Sequence, residues 1–394
     1  MKKILFHFCL LFLFISISLP SRGKDVFSSD SLQISLITSG PGNDLYTAFG
    51  HTAIRVQDFS SGGDFVFNYG TFDFSTDHFY WKFTRGRLMY FLSVQKFPLF
   101  LQAYKAEGRK LTEQILNLSK AEKHHIFNYL RVNYKPENRF YKYDFLFDNC
   151  ATRIRDIIGD SYGKSWKMGN IIPEKGLSFR DIINAYLDNS PWERLGINLM
   201  FGKRADEAMT NKEIMFLPKY LMVGFQHSSI NGHSLVKTKK ILNNPHSEKA
   251  PYPFYLRPIF WFSLLCLFIL ILSFSKSNKF SNKLLPWIDR CLFFLSGLLG
   301  CFLVFMWFGT DHGITKWNYN ILWLFPVNIF FSFHFFKDKK WVKTYAIFIV
   351  AVNLILLATF LILPQELPFA LLPFMAVLGV RALKIISRFN KVHE

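Results

Sequence analysis

The last third of the chain constrains its fold most strongly, because long apolar segments alternate there with short basic loops. Beyond Tyr255, apolar runs of roughly 17 to 23 residues have the length that a helix needs to cross a bilayer. This part is therefore predicted to be an α-helical membrane bundle of five spans, at Pro258–Ser275, Trp287–Gly309, Tyr319–Phe336, Tyr345–Leu363 and Phe369–Ile385.

The charges of the loops between these spans predict the orientation of the bundle. The loops that contain Lys279 and Lys339, and the tail that contains Arg388, are rich in lysine and arginine and are expected in the cytoplasm. The loops that contain His312 and Glu366 are then expected outside. Part of the net charge of +19 is tied to these membrane loops, so nucleic acid is not an expected partner.

The N-terminus has the features of an export signal. Lys2 and Lys3 precede the apolar run Ile4–Leu19, and the small-residue stretch Pro20–Gly23 follows it. Cleavage after Gly23 is expected, and an uncleaved anchor is the alternative. The predicted organisation is a signal peptide at 1–23, a periplasmic domain at 24–226, a polar linker at 227–257 and a transmembrane domain at 258–394 of the inner membrane.

The exported segment has the pattern of an α+β domain. Alternating apolar and polar residues predict strands, and Ser60–Gly63 predicts a hairpin turn between two of them. Ser119–Glu122 has the pattern of a capping box, and Ser178 is predicted to begin another helix. The predicted strands are Leu32–Thr38, Thr52–Gln57, Asp64–Gly70, Leu88–Val94 and Leu111–Leu118.

Cys150 is the one cysteine that falls in the predicted exported domain. It has no partner there for a disulfide, which makes a thiol in an oxidising compartment a candidate for catalysis. Asn149 is a predicted N-cap, so Cys150 is expected in the first turn of a helix. The helix dipole should lower the thiol pKa, and the N–H groups near Cys150 and Ala151 should hold an oxyanion. A small buried hydrophobe is the alternative.

A cysteine nucleophile needs a base and a third group that orients the base. His51 follows a glycine at the start of a predicted strand and is the preferred base, whereas His78, His124 and His125 are alternatives. Asn68, on the return strand, is the preferred third residue, and Asp73 is the alternative to it. The predicted catalytic residues are therefore His51, Asn68 and Cys150.

The order of these residues resembles that of the circularly permuted papain-like group, which includes lecithin:retinol acyltransferase-like and NlpC/P60-related enzymes. His51, Asn68 and the Asn149–Cys150 dipeptide match a strand histidine, a polar residue on the next strand and an Asn-Cys pair. The second residue of those acyltransferases is a histidine, where this chain has asparagine. The resemblance implies a permuted papain-like thiol domain.

Four sequence blocks resemble the Lnb-type lipoprotein N-acyltransferases, which join an exported thiol domain to a membrane domain. The resemblance implies that an acyl chain moves from a phospholipid, through a Cys150 thioester, to the α-amine of the lipidated N-terminal cysteine of lipoproteins. Its implied partners are thus a phospholipid donor, a diacylated lipoprotein acceptor and the membrane. The matching blocks are Gly50–Val56, Asn68–Asp73, Asp148–Thr152 and Gly196–Gly202.

Other features bear on this hypothesis. The aromatic segment from Phe72 to Phe83 is predicted to lie in a long loop. It is a candidate surface for acyl chains, with a local core cluster as the alternative, and Arg85 and Arg87 are candidate phosphate ligands. No metal or nucleotide motif occurs, so no cofactor is expected. The rival functions are a thiol amidase or peptidase acting on cell-wall peptides, and a non-enzymatic membrane sensor or assembly factor.

Overall fold

The protein has an α+β N-terminal part that is rich in sheet and a C-terminal part that is helical. The structure is a computed structural model, and it describes residues 31–245, 252–275, 279–337 and 339–393. The predicted signal peptide at 1–23 lies outside the described residues.

One large antiparallel sheet organises the N-terminal part. Within the described residues it has seven strands in the spatial order β10-β5-β1-β2-β3-β4-β6, and β7, β8 and β9 form a small second sheet. The strands are β1 Leu32–Ser39, β2 His51–Asp58, β3 Gly63–Thr71, β4 Met89–Lys96, β5 Leu111–Leu116, β6 Phe140–Lys142, β7 Trp166–Met168, β8 Ser228–Ile230, β9 His233–Ser234 and β10 Val236–Asn243.

Helices cover both faces of this sheet because its strands alternate apolar side chains between the faces. Ile34 and Ile54 point to the larger core, whereas Ala53 and Val66 point to a smaller core beneath α2. The helices of this part are α1 Phe79–Thr84, α2 Phe97–Ala106, α3 Lys120–Tyr134, α4 Cys150–Tyr162, α5 Phe179–Tyr186, α6 Pro191–Met200 and α7 Pro218–Gln226.

The predicted helix starts are confirmed. Ser119 and Ser178 each accept a hydrogen bond from the backbone N–H three residues on, and the carboxylates of Glu122 and Asp181 accept one from the backbone N–H of the cap residue. Such reciprocal bonds satisfy N–H groups that a helix start otherwise leaves unpaired. The five predicted strands of the domain correspond to β1–β5.

The structure differs from the prediction in two places. Residues 228–243 lie in the predicted linker, but they form β8, β9 and β10, and β10 pairs with β5 at the edge of the large sheet. Its exposed lysines made this segment look unstructured, yet an edge strand buries little of its surface. The aromatic segment, predicted as a loop, contains the short helix α1.

The C-terminal part is a bundle of apolar helices. They are α8 Pro258–Phe274, α9 Lys279–Phe308, α10 Asn328–His334, α11 Lys340–Thr359 and α12 Leu372–His393. In the described chain, three helices are long and apolar enough to cross a membrane, at Lys279–Phe308, Lys340–Thr359 and Phe369–Asn390, and Pro258–Phe274 is a shorter apolar helix. The predicted span Tyr319–Phe336 is not one helix, since a 3-10 turn and Pro326 precede α10.

A buried ion pair joins three helices of the bundle. Arg381 on α12 donates to both carboxylate oxygens of Asp289 on α9, at 2.6 and 2.8 Å. Its remaining nitrogen donates to Ser273 Oγ on α8 at 2.8 Å. Because each charged group has its partners, the pair fixes the mutual position of α8, α9 and α12.

The N-terminal domain contacts the bundle at several places, two of which involve segments between the helices of the bundle. At the first, the chain after α1 contacts the loop after α9, where Arg87 forms a salt bridge with Asp311 at 3.2 Å and His312 Nε2 lies 3.1 Å from Thr84 O. Trp81 also stacks on Phe305 of α9. These contacts are largely exposed.

The second contact is buried, and side-chain amides of the bundle form its hydrogen bonds. Asn318 Nδ2 donates to Leu199 O at 2.8 Å, and Gln365 Nε2 donates to Phe201 O at 3.0 Å. Gly202 lies directly against the backbone of Lys316, so that a Cβ at this position would collide with the Lys316 carbonyl oxygen. Glycine therefore permits the close approach of the two chain segments.

Candidate active site

Asn149 fixes the start of α4 and with it the position of Cys150. Its Oδ1 accepts hydrogen bonds from the N–H groups of Ala151 at 2.7 Å and Thr152 at 2.9 Å. Its Nδ2 donates to the carbonyl oxygens of Phe145 and Phe216, at 2.6 and 2.9 Å. The predicted N-cap is confirmed, and every polar atom of this side chain contributes to placing the first turn.

The first turn of α4 lies against the beginning of β2 and the end of β3. The backbone N–H of Thr52 faces the Cys150 thiol and lowers its pKa, as do the N–H groups of Ala151 and Cys150, although burial outweighs them. Gly70 of β3 has φ +85°, and a Cβ there would lie 3.6 Å from both Cys150 Cβ and Tyr143 Cε2. The thiol is therefore enclosed between two strand ends, beside Thr52, the residue that follows His51.

His51 and Asn68 are joined directly across the two strands. His51 Nε2 lies 3.1 Å from Asn68 Oδ1. An amide oxygen can only accept a hydrogen bond, so this contact selects the His51 tautomer that is protonated at Nε2. Nδ1 is then the basic nitrogen. The ring of Tyr104 from α2 stacks beside that of His51, with centroids 6.5 Å apart and planes 12° apart.

The electrostatics of Cys150 and His51 differ from the prediction. Burial raises the pKa of the Cys150 thiol to about 11, so the expected lowering by the helix start is wrong. Burial likewise lowers the pKa of His51 to about 4, while Asn68 raises it and Arg109 lowers it. Desolvation penalises charge on both groups more than the dipole favours a thiolate. At neutral pH the site thus holds a neutral thiol and a neutral imidazole.

The residues that the sequence offers as alternatives to His51 and Asn68 lie in surroundings that differ from those of Cys150. His78 is exposed before α1, and His124 and His125 lie on α3. Asp73 is exposed, and its carboxylate accepts hydrogen bonds from the backbone and hydroxyl of Ser75. The geometry therefore favours His51 and Asn68 over these alternatives.

The candidate phosphate ligands are engaged in the contact between the domain and the bundle. Arg85 Nε donates to Gly309 O at 3.0 Å, and Arg87 pairs with Asp311. Of the polar residues in the outer loop, His312 contacts the backbone of Thr84. These residues hold the two parts of the protein together.

Sequence reasoning missed Arg109, which lies close to the reactive pair. Its positive charge lowers the pKa of both His51 and Cys150, although burial has the larger effect on each. Its guanidinium lies over the Tyr104 ring, 4.7 Å from the centroid. No sequence motif includes this residue, and only the pairing of β5 with β1 brings it to the site.

A cavity of about 620 Å³ lies on the sheet beneath α3, among Phe65, Phe127 and Val132. It is formed near the hairpin end of β2 and β3, whereas Cys150 lies near their other ends. Among the described residues, no group of three or more histidine, cysteine, aspartate or glutamate side chains is arranged to bind a metal ion.

Two family models match the chain. The model described as the Lnb N-terminal periplasmic domain matches residues 21–171, which include His51, Asn68 and Cys150. The model described as the Lnb transmembrane domain matches residues 249–391. Searches of curated proteins and of solved structures found no match. The two models match in the expected order and cover most of the sequence, so the chain belongs to the Lnb family and is a membrane protein with a periplasmic domain.

Proposed function

We propose that this protein is a lipoprotein N-acyltransferase of the inner membrane that works through a Cys150 thioester. The observation that carries the proposal is the contact between His51 Nε2 and Asn68 Oδ1 beside the capped start of the Cys150 helix. The connection of this site to a membrane bundle, in a chain of the Lnb family, supports a lipid acyl donor. We also propose that the periplasmic domain has a permuted papain-like fold.

In the first half-reaction His51 acts as a general base. Its Nδ1 takes the Cys150 proton as the sulfur attacks the ester carbonyl of a phospholipid, because both groups are neutral beforehand. The carbon–oxygen bond then breaks, and the imidazolium returns the proton to the leaving oxygen. Lysophospholipid departs, and the acyl chain remains on Cys150 as a thioester.

Backbone N–H groups stabilise the oxyanion in this proposal. The sequence suggested those of Cys150 and Ala151, but Ala151 N–H already donates to Asn149 Oδ1. The N–H groups of Cys150 and Thr52, which both face the thiol, are the better donors. Such donors are already in place before charge develops, which is why they lower the barrier.

In the second half-reaction the free α-amine of a diacylglyceryl-cysteine attacks the thioester. His51 takes a proton from the attacking nitrogen, the carbon–sulfur bond breaks, and the Cys150 sulfur recovers that proton. The product is an amide on the lipoprotein, and the enzyme returns to its initial state. No cofactor takes part in either half-reaction.

A series of contacting aromatic rings connects Cys150 to the surface of the domain, and we propose it as the route of the acyl chain from the bilayer. Tyr143 lies beside Cys150 and stacks on Tyr90 at 4.3 Å, and Tyr90 contacts Phe72 at 5.3 Å. Phe72 in turn contacts Phe74, which is 64% exposed. Because Trp81 of the adjoining helix stacks on Phe305 of α9, this surface lies at the outer end of the bundle, where interfacial aromatics are expected.

The same proposal includes five crossings, with the region between Tyr319 and Phe336 spanning as a broken segment. Cysteine-accessibility labelling should then find Lys279→Cys and Lys339→Cys in the cytoplasm and His312→Cys outside. Labelling of positions 312 and 339 from the same side would contradict this topology.

Intact-mass measurement of the Cys150 peptide tests the chemistry. Purified protein given phospholipid alone should gain the mass of one acyl chain, and neutral hydroxylamine should remove it. A diacylated lipopeptide with a free α-amine should discharge the adduct onto that amine, whereas an N-blocked lipopeptide should not. Discharge to water alone would indicate a hydrolase. Cys150-dependent cleavage of cell-wall peptides without any adduct would indicate an amidase.

A further inference from the structure

Arg109 is a buried cation with one unpaired end. Its side chain is 5% exposed, Nε donates to Gly40 O at 3.1 Å, and Nη1 donates to Glu107 Oε2 at 3.1 Å. The buried Nη2 has no hydrogen-bond partner within the described residues. An unsatisfied buried donor costs about 1–3 kcal/mol, and more when charged, so a bound acceptor would remove a real penalty.

Other buried arginines of this chain have their charges matched. Arg55, Arg180 and Arg381 each donate to both oxygens of one aspartate. Arg109 has only Glu107, whose side chain is 52% exposed and makes a single contact. Its guanidinium is therefore left with excess positive charge in an enclosed place.

This charge lies at the reactive centre. The guanidinium stacks on Tyr104, which stacks on His51, so that a cation, a phenol ring and the imidazole form one layered group. The nearby Tyr46 contacts Phe72 of the aromatic route. The charge of Arg109 acts on both Tyr46 and Cys150, so it lies near the aromatic rings and near the thiol.

We propose that the free Nη2 of Arg109 binds the phosphate of the acyl donor, which makes Arg109 the residue that selects a phospholipid over a neutral glycerolipid. The inference rests on the proposed function, because it identifies the donor of the same site. In a phospholipid the phosphodiester is separated from the ester carbonyl by only a few bonds. Guanidinium suits such an oxyanion because its N–H groups are fixed in a plane. The phosphate leaves with the lysophospholipid unchanged.

Protection of Cys150 from alkylation measures binding without requiring catalysis. The full-length protein in neutral detergent is treated with iodoacetamide, with increasing short-chain diether phosphatidylglycerol, which has no ester to cleave. The same titration uses the matching diether glycerol without phosphate. The variants are Arg109→Gln and Arg109→Lys, with Arg194→Gln as the control, since Arg194 is an exposed arginine paired with Asp188.

Arg109→Gln should weaken protection by the phospholipid analogue at least about tenfold, the usual scale of a charge-assisted hydrogen bond. Arg109→Lys should recover part of it, and protection by the neutral analogue should be unchanged in every variant. Equal protection of wild type by both analogues, or a loss in Arg109→Gln that is the same for both, would overturn the inference. The second result would identify a structural role.

Acylation separates this inference from the proposed function. If ester phospholipid forms no adduct, yet the diether phospholipid protects in an Arg109-dependent way, the proposed function fails and the phosphate site stands. If the adduct forms as fast in Arg109→Gln as in wild type, the phosphate site falls and the proposed function stands. Arg109→Gln should slow acylation by ester phospholipid much more than acylation by a p-nitrophenyl acyl ester, which has no phosphate. Both reactions lose the effect of the Arg109 charge on the Cys150 thiol, and only the first also loses the phosphate contact. Equal slowing of both reactions would overturn the phosphate site.

Discussion

Two clusters of buried polar groups, one in each part of the protein, differ in how completely they are satisfied. In the bundle, Arg381 has Asp289 on two nitrogens and Ser273 on the third. In the periplasmic domain, His51 is bound through one ring nitrogen to Asn68, and Arg109 keeps an unpaired Nη2.

The difference separates structure from chemistry. A buried charge whose partners are all present stabilises one arrangement and has no capacity left for a ligand. Buried polar groups that lack a hydrogen-bond partner cost folding free energy, and they are found at sites where a substrate supplies that partner. The bundle cluster should therefore govern stability, and the periplasmic cluster should govern turnover. Three substitutions and one change of pH test this division.

The largest effect is expected for Cys150→Ala. Removing the nucleophile should lower acyl transfer by about 10⁴-fold or more while leaving the melting temperature nearly unchanged, because the thiol contributes little beyond a small apolar contact. The measurement is transfer of labelled acyl chain to a diacylated lipopeptide. Cys301→Ala, at an exposed cysteine of α9, is the matched control and should retain full activity. Turnover near the wild-type rate in Cys150→Ala would refute the thioester.

The next effect is a loss of stability in Asp289→Leu, which leaves Arg381 buried without its partner. Breaking such a pair typically costs about 3–5 kcal/mol. The melting temperature in detergent should fall sharply, whereas the acylation rate per folded molecule should stay within about twofold. The double variant Asp289→Leu with Arg381→Leu should recover most of the stability. An undiminished melting temperature in the single variant would show that the pair is not structural.

A smaller loss of rate is expected for Asn68→Ala. The variant removes the oxygen that holds His51 in the required tautomer, so acylation of Cys150 should fall by about 10- to 100-fold, which reaches the lower end of the range ascribed to general-base catalysis. Asp73→Ala serves as the control, because this exposed carboxylate accepts its hydrogen bonds, within the described residues, from the backbone and hydroxyl of Ser75. A larger loss in Asp73→Ala than in Asn68→Ala would reverse the choice of third residue.

Local signals in the sequence predicted much of this architecture. The strands β1–β5 follow from alternating side chains, and the starts of α3, α4 and α5 follow from Ser119, Asn149 and Ser178, which act within a few residues. The apolar runs indicated a helical membrane part. The contact between His51 and Asn68 could also be predicted, because the two residues lie on neighbouring strands.

Features that depend on distant contacts were not predictable. β10 has lysines where a buried strand has apolar residues, and only the free edge of β5 makes it a strand. The helix position of Cys150 predicted a lower pKa, but enclosure by the strand ends reverses the direction. The glycine at 202 belongs to a family block, yet its need for close approach to Lys316 is visible only when both domains are present.

The smallest effect is expected when the pH is lowered from 7 to 5. Burial lowers the pKa of His51 to about 4, so the base stays neutral through this interval and Cys150 acylation should change by less than about twofold. A histidine with an ordinary pKa near 6.5 would be mostly protonated at pH 5, and the rate would fall about 25-fold. The measurement is the rate of adduct formation from phospholipid alone, because the α-amine of an acceptor would add its own titration. Asn68→Ala should move the acid limb to still lower pH, since the bond to Asn68 favours protonated His51. A midpoint near 6.5 in wild type would mean that the imidazole is solvated during the reaction, and the neutral thiol–imidazole pair would then have to be abandoned.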